Sequence, residues 1–361
     1  SQKNEVATIE VPHFRPDIDG AADIVEEIVR IYGYDKIKPQ SVIKDPRIKK
    51  EILNGKLKSF YKSKRIIASR GYLEVVTWSF VSSEQASLEN EKENVIIKNP
   101  ISSDLNTMRS SIFPNLLSSI NINIHRLYNN GKLFEVGPQY SGSKEEDQQM
   151  VASGIQYGTA HTETWGDEKR MSDVFDVKSD VYFVLDQLNV PVDNILYEES
   201  ENNFFHPGKS AQLRIGKNIL AQFGEIHPFI LQKFEINTNV NGFEIHLDQV
   251  SQFQLKTSST KKAYNSNALQ AIERDFAFLF PKNIKAGEII NKIKKIDKQL
   301  IKKVTIFDVF EGNKLPENVK SIAIKVMLQP TEKTFTDSEI EMISNTIIDL
   351  ISKTFEGKLR Q

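Results

Sequence analysis

The chain has 361 residues, of which 39% are hydrophobic and 26% are charged, and its formal net charge is -1. This length predicts two to three domains, and the near-zero charge means that any nucleic-acid contact depends on a local basic patch. The absence of cysteine excludes disulfides, thiolate metal ligands and a cysteine nucleophile. No run approaches the ~20 apolar residues that cross a bilayer and the polar start lacks signal-peptide character, so we expect a cytoplasmic protein without membrane contact.

The chain opens with an apolar-polar alternation at residues 6–11, which predicts a β-strand. Such a strand needs pairing partners, and the few residues before it do not supply them. We therefore expect residues 1–40 to be the tail of a larger domain, and the chain to be a C-terminal portion of a longer one.

A short helix with an acidic face follows this strand. Asp23, Glu26, Glu27 and Arg30 are spaced i, i+3, i+4 and i+7, so they share one side of the helix, and Asp17 precedes them closely. Oxygen ligands of this kind suit a hard divalent cation such as Mg²⁺. The alternative is that the acids complement the helix dipole and that Glu26 forms an i, i+4 ion pair with Arg30. Spacing alone leaves both interpretations open.

Residues 41–255 mix strands and helices without a repeated βαβ rhythm, which indicates a largely antiparallel α+β core. The apolar patterns predict strands at 73–80, 95–97, 133–137, 211–215, 219–226 and 242–247, and helices near 57–70, 114–127 and 174–189. Residues 256–267 are rich in Ser, Thr, Lys and Asn and lack apolar periodicity, so they are predicted to be a linker.

The last part of the chain, residues 268–361, shows the element order β-α-β-β-α-β of a ferredoxin-like fold. The predicted strands are 275–280, 300–310, 320–328 and a short piece at 358–360, and the predicted helices are 285–296 and 336–355. Thr336 and Glu339 are spaced as a capping box, which marks the start of the long helix.

Lysines are concentrated in the first half of this predicted domain. Lys292, Lys295, Lys298 and Lys302 belong to this run, and a basic helix beside a sheet can follow a phosphate backbone. The alternative is that these lysines form an ordinary solvated face. Phenylalanines in the neighbouring strands could stack on bases, but their alternation indicates that most of them belong to the core.

Four separated motifs resemble the C-terminal portion of the β subunit of bacterial phenylalanine–tRNA ligase. They are Ile31-Tyr32-Gly33-Tyr34 after the acidic helix, residues 99–111 from Asn-Pro to Arg-Ser-Ser, the His-Pro pairs at 206–208 and 224–228, and the terminal domain with Phe-Asp-Val-Phe at 307–310 and Phe-Thr-Asp at 335–337. The resemblance runs from one end of the sequence to the other.

The resemblance implies a fold, partners and site residues. Positions matching a magnesium site shared with the α subunit are Asp17, Asp23, Glu26 and Glu27. The middle region resembles a class II synthetase core that is catalytically inactive, so ATP and phenylalanine would be handled by the α subunit of an α₂β₂ heterotetramer. The terminal domain resembles the family's anticodon-binding module for tRNA(Phe), which favours the RNA-binding interpretation of the lysines.

The residues themselves favour an inactive core. A class II site needs an arginine to hold the ATP phosphates, but Gly131-Lys132 stands before the strand where that arginine would be required, and no G-x-G-x-G run occurs. His206 and His227 each precede proline and are interpreted as turn residues, so no catalytic residue is expected. The family's oligonucleotide-binding and editing domains do not match this sequence, so no editing activity is expected. The alternatives are a free-standing RNA-binding or regulatory protein and, less favoured, a metal-dependent hydrolase.

Overall fold

The computed structural model describes residues 2–3, 6–41, 53–88, 94–161, 164–166, 169–254, 266–312 and 315–360. The chain divides into two compact units, Ser1–Ile52 and Leu53–Gln361. The predicted linker at 256–267 falls mostly outside the described residues, because description stops at 254 and resumes at 266.

The first unit contains a small hairpin and one helix. Strands β1 (Gln2–Lys3) and β2 (Val6–Ala7) pair antiparallel, and α1 spans Ala21–Tyr32. The prediction of a strand through residue 11 is wrong beyond Ala7, because the chain from residue 8 leaves the hairpin and runs without a strand partner among the described residues. Helix α1 ends at Gly33, whose φ of +110° suits glycine.

The α1 helix has an apolar stripe that this unit does not bury. Ile24, Ile28 and Ile31 line a groove of about 230 Å³ with residues 9–12, yet no residue of α1 is buried. Ile28 is 61% exposed and Ile31 is 81% exposed. An amphipathic helix with an uncovered apolar side is typical of a surface that packs against something outside its own unit.

The larger unit begins with an α+β core. In chain order its elements are α2 (Gly55–Ser69), β3 (Leu73–Glu74), β4 (Phe80–Val81), α3 (Ser83–Ala86), β5 (Thr107–Met108), α4 (Phe113–His125), β6 (Gly131–Tyr140), β7 (Gln148–Tyr157), α5 (Val174–Gln187), β8 (Leu196–Glu198), β9 (Phe205–Ile215), β10 (Asn218–Ile226), α6 (Pro228–Lys233), β11 (Val240–His246) and α7 (Leu247–Phe253).

Seven of these strands form one sheet in the order β3-β6-β7-β11-β10-β9-β8. All neighbouring pairs are antiparallel except β3 with β6. The predicted antiparallel α+β core is therefore confirmed. The predicted strand at 73–80 is wrong as one element: its start is β3 in the large sheet and its end is β4, which pairs with β5. The strand predicted at 95–97 is reduced to a single bridge between Ile96 and Thr107.

Helices cover both faces of this sheet. On one face, α2, α5 and α7 pack through residues such as Ile67, Val181 and Val250 onto Phe134 and Phe243 of the strands. On the other face, α4 and α6 pack against the strands and form a second buried cluster, which includes Phe113, Leu117 and Ile230. Because successive side chains of a strand point to opposite faces of the sheet, one strand contributes apolar side chains to both clusters.

The last part of the unit has the predicted ferredoxin-like order. Its elements are β12 (Ile272–Pro281), α8 (Ala286–Lys294), β13 (Ile301–Phe310), β14 (Val319–Leu328), α9 (Asp337–Phe355) and β15 (Lys358–Leu359). The sheet order is β13-β14-β12-β15, and α8 and α9 pack on one face through residues such as Ile289 and Ile351. Thr336 caps α9 with Glu339, as predicted. Within the described ranges, no helix has the length and apolar character needed to span a membrane.

Candidate nucleic-acid interface and acidic helix

Two of the four predicted metal-binding carboxylates converge on one arginine. Arg15 Nη2 lies 2.7 Å from Asp17 Oδ2 and 2.5 Å from Glu27 Oε1. Arg30 Nη2 lies 2.7 Å from the other oxygen of Glu27. The hydrogen bonds that Arg15 donates lower the pKa of Asp17 and of Glu27, because they favour the charged carboxylates. The two carboxylates thus share one cationic group.

The other two carboxylates have different surroundings. Asp23 Oδ2 accepts hydrogen bonds from the backbone N–H groups of Asp19 and Gly20, at 3.1 and 2.9 Å, and so closes the start of α1. Glu26 is exposed, and the alternative of an i, i+4 ion pair between Glu26 and Arg30 is wrong, because Arg30 pairs with Glu27. Within the described part of the chain, no group of three or more His, Asp or Glu side chains is arranged to hold a metal.

The four predicted RNA-binding lysines lie at one end of the ferredoxin-like domain, but not all on its helix. Lys292 is on α8, Lys295 caps its end, Lys298 lies in the following turn and Lys302 is on β13. The helix is shorter than predicted, because its last turn closes with backbone hydrogen bonds at Lys295 and Ile296. All four lysines are exposed, and none forms an ion pair with another described residue.

The outer face of the ferredoxin-like sheet combines exposed aromatic rings with a lysine that is paired with carboxylates, since Lys325 Nζ lies 2.9 Å from Glu273 Oε2 and 3.8 Å from Asp275 Oδ1. Phe307 is 54% exposed and Phe310 is 38% exposed, whereas the phenylalanines of β12 are buried. Lys325 Nζ lies 6.0 Å from the ring centroid of Phe307, and Arg360 Nη1 lies 3.4 Å from Ser321 Oγ. Exposed aromatic rings on an open sheet can stack bases, whereas the charge of Lys325 is already offset by its two carboxylate partners.

Only part of this face was predictable from the amino-acid pattern. Alternation correctly placed Phe276, Phe278 and Phe280 in the core. It could not place Phe307, because a register shift between Ile306 and Asp308 inserts an extra residue into β13. That bulge is a property of strand pairing, which the local sequence does not specify.

A buried ion pair joins the segment after β5 to strand β6 of the large sheet. Arg109 and Glu135 are 1% and 4% exposed, and Arg109 Nη1 lies 2.8 Å from Glu135 Oε1. Arg109 also donates to the backbone oxygen of Pro138 at 2.9 Å and to Thr77 Oγ1 at 3.1 Å. A Cβ atom on Gly137 would lie 2.6 Å from Arg109 Nη2. This arginine is committed to internal partners, so it is not available to a phosphate ligand.

The two histidines that precede proline act in turns. His206 Nδ1 accepts from the backbone N–H of Gly208 at 3.0 Å, and His227 Nδ1 accepts from that of Phe229 at 3.1 Å. The rings stack with their centroids 6.2 Å apart. Both imidazoles therefore hold local backbone and pack on each other, in agreement with their interpretation as turn residues.

The fold and the family models together define the class of protein. Residues 40–247 match the model described as phenylalanyl tRNA synthetase beta chain CLM domain, residues 268–360 match ferredoxin-fold anticodon binding domain, and residues 1–34 match tRNA synthetase B5 domain. These are parts of aminoacyl-tRNA synthetases. Because the first model covers more than half of the chain, the chain belongs to the phenylalanyl-tRNA synthetase beta chain family.

Similar proteins carry the same description. The chain is 35% identical to a phenylalanine–tRNA ligase beta subunit of Mesorhizobium japonicum over 99% of its own length and 45% of that protein. It is 36% identical to one of Rhodospirillum rubrum, again over 99% of this chain and 44% of the relative. The chain therefore spans less than half the length of these relatives.

Among solved structures, two of pyrrolysyl-tRNA synthetase from Desulfitobacterium hafniense are similar. Their TM-scores are 0.39 and 0.41, and both are 16% identical to this chain in sequence. Each match covers 54% of this chain and about two thirds of the pyrrolysyl-tRNA synthetase chain.

Proposed function

We propose that this chain is a noncatalytic scaffold and tRNA-binding part of a phenylalanine–tRNA ligase beta subunit. It would support the ATP-dependent attachment of phenylalanine to tRNA(Phe) by a complex with the alpha subunit in the cytoplasm. The observation that carries this proposal is the family match along the chain, which ends in a ferredoxin-like domain with exposed aromatic rings on its open sheet face.

The noncatalytic role is supported by the closed polar centre of the core. Arg109 and Glu135 satisfy each other and are almost fully buried, so the sheet offers no exposed arginine at that point for ATP. We propose that ATP and phenylalanine bind to the alpha subunit of an α₂β₂ heterotetramer. Purified chain should therefore form no phenylalanyl-tRNA by itself, and charging by the chain alone would contradict the proposal.

The scaffold role is supported by apolar side chains exposed at the β3 edge of the large sheet. Leu73, Val76 and Trp78 are 69%, 86% and 63% exposed, and Leu127 at the end of α4 is 83% exposed. Uncovered apolar groups along an open sheet edge favour a protein partner over a free-standing protein with a polar surface. We propose that the alpha subunit is this partner, which disfavours the free-standing RNA-binding alternative.

The lysines are tested by the salt dependence of tRNA binding. A K292Q/K295Q/K298Q/K302Q variant should bind tRNA(Phe) more weakly, with a log–log salt slope smaller by roughly 0.7–0.9 per lost phosphate contact. A matched control replaces four lysines of the same domain that pair with carboxylates, K282Q/K285Q/K333Q/K353Q. Equal losses in both variants would indicate a general charge effect and would contradict a specific role.

The sheet face requires a separate test, because stacking is not a charge effect. F307L and F310L should weaken binding by roughly 1–3 kcal/mol for each base that stacks on the ring, with an unchanged salt slope. F229L is a suitable control, since Phe229 is similarly exposed on α6. Unchanged binding by F307L and F310L would remove the sheet face from the proposed interface.

We propose that Asp17, Asp23, Glu26 and Glu27 contribute to a Mg²⁺ site completed by the alpha subunit. Their oxygen donors suit Mg²⁺, and Asp17 and Glu27 already converge on a cation, the Arg15 guanidinium. Such an ion would neutralise carboxylates at the subunit contact. Calorimetric titration of Mg²⁺ into the complex with the alpha subunit should show binding that E26Q/E27Q removes and that an E84Q/E146Q control retains.

The division of the chain also belongs to this proposal. We propose a metal-helix segment at 1–40, a core at 41–255, a linker at 256–267 and a terminal tRNA-binding domain at 268–361. Limited proteolysis should cut first within 256–267. Early cleavage inside the core sheet would contradict these boundaries.

A further inference from the structure

A polar pocket of about 600 Å³ opens at one end of the large sheet, far along the chain from the ferredoxin-like domain. Its wall is formed by the end of α2, the start of β6 and the loop after β7. The side chains that matter are Arg70, Lys132, Thr159 and His161. Arg70 and Lys132 are cations with several N–H donors each, whereas the Thr159 hydroxyl donates to the backbone oxygen of His161 at 3.0 Å.

A buried carboxylate holds both cations in place. Asp180 on α5 is 2% exposed, and its Oδ1 accepts from Arg70 Nε at 2.6 Å. Its Oδ2 accepts from the Tyr72 hydroxyl at 2.9 Å and lies 3.5 Å from Lys132 Nζ. One aspartate thus orients an arginine and a lysine that both line the same pocket.

This arrangement leaves positive charge and donor groups at the pocket. Asp180 offsets one of the two cations, so the group retains one positive charge. Arg70 uses only Nε for Asp180, and its two Nη groups have no hydrogen-bond partner among the described residues. The neighbouring carboxylate of Asp176 is paired with Arg170 at 2.6 Å.

The wall of the pocket is also fixed. Gln156 is 1% exposed, and its Nε2 donates to the backbone oxygen of Ala160 at 3.3 Å. Asn130 Oδ1 accepts from the backbone N–H of Thr159 at 2.8 Å. These contacts hold the loop after β7 against the start of β6, so the two sides of the pocket are fixed relative to each other.

We propose that this pocket binds a phosphate group, supplied either by the backbone of bound tRNA or by a free nucleotide. An arginine fork with free Nη donors beside a lysine matches the charge and the several acceptor oxygens of phosphate. The tRNA source rests on the proposed function and would add a phosphate contact on the core to those on the terminal domain. The nucleotide source does not depend on it.

The test uses two conservative variants of the full chain. R70K keeps the charge beside Asp180 but deletes the two Nη donors, whereas K132Q removes one charge and leaves Arg70 and Tyr72 on Asp180. K178Q is the matched control, because Lys178 is a partly exposed lysine of α5 that contacts aromatic rings outside the pocket. Far-ultraviolet circular dichroism establishes that each variant is folded.

Binding is measured for fluorescently labelled tRNA(Phe) by anisotropy, and for AMP and inorganic phosphate by calorimetry. R70K and K132Q should lower the affinity for the ligand that supplies the phosphate roughly threefold to tenfold at physiological salt, and K178Q should leave that affinity unchanged. If only tRNA binding is weakened, the phosphate comes from the tRNA backbone. If the binding of AMP or inorganic phosphate is weakened, the pocket takes a free ligand. If neither variant changes any binding while K292Q/K295Q/K298Q/K302Q weakens tRNA, the pocket proposal fails and the proposed function stands.

Discussion

Replacement of Arg109 by methionine should destabilise the core strongly. Arg109 is the cationic partner of Glu135, and both side chains are buried. In R109M the carboxylate of Glu135 would lose its cation, and the backbone oxygen of Pro138 would lose its donor. Removing one partner of a buried pair costs about 3–5 kcal/mol of unfolding free energy. We expect R109M to lose an amount in that range.

Two further variants separate this effect from the loss of any arginine. In R109M/E135M the uncompensated charge is gone, so most of the lost stability should return. R214M removes the ion pair with the partly exposed Glu198, which is worth about 1 kcal/mol or less.

The assay is urea unfolding followed by far-ultraviolet circular dichroism, which reports the loss of the helices and strands. An R109M variant within about 1 kcal/mol of the parent would refute the reasoning, because it would mean that the charge of Glu135 is not compensated by Arg109.

Three other changes have defined outcomes. G137A should lower the urea midpoint, because its new Cβ would lie 2.6 Å from Arg109 Nη2, and an unchanged midpoint would show that the arginine can move aside. Burial raises the pKa of Glu244 to about 7, so the folded state binds an extra proton and loses stability as pH rises from about 4.5 to about 7. Thermal unfolding should therefore show that E244Q is more stable than the parent at pH 8 but not at pH 4.5. Hydrogen bonds from Thr336 and Lys333 lower the pKa of Glu339 to about 2, so the contribution of Glu339 to folding stability is complete above pH 4.5 and disappears as pH falls towards 2. T336A should therefore reduce the thermal midpoint more at pH 6 than at pH 2.5. Equal losses at the two pH values would exclude the capping box as the cause.

The sequence predicted the ferredoxin-like domain well because its signals are local. Thr336 and Glu339 mark the start of α9, and the alternating phenylalanines mark β12. The boundaries of all the strands and helices of this domain lie within three residues of the predicted ones. Local propensity and long-range packing agree along these elements, which is the condition under which pattern analysis succeeds.

The core was predicted less completely because its pairing is not local. Strand β7 was missed, although it lies between β6 and β11 in the sheet. Its residues after Met150 are buried on both faces, so the alternation that marks a half-exposed strand is absent. The split of the 73–80 strand likewise depends on which distant strand each half pairs with.

The charged sites show the same limit. Spacing placed Asp23, Glu26 and Glu27 on one helix, but it could not show that Arg15 from the preceding segment would reach Glu27. The Arg109–Glu135 pair joins residues 26 positions apart and was not predicted. The nearest signal was the position of Arg109 within a motif shared with the family.

The central claim is that this chain is a noncatalytic part that works with a synthetase alpha subunit. The most direct measurement is a pull-down of the chain with the alpha subunit at several Mg²⁺ concentrations, followed by phenylalanine charging of tRNA(Phe) on the separate proteins and on the complex. We predict association that weakens when Mg²⁺ is removed, and no charging by the chain alone. Absence of association at every Mg²⁺ concentration, or charging by the isolated chain, would contradict the account.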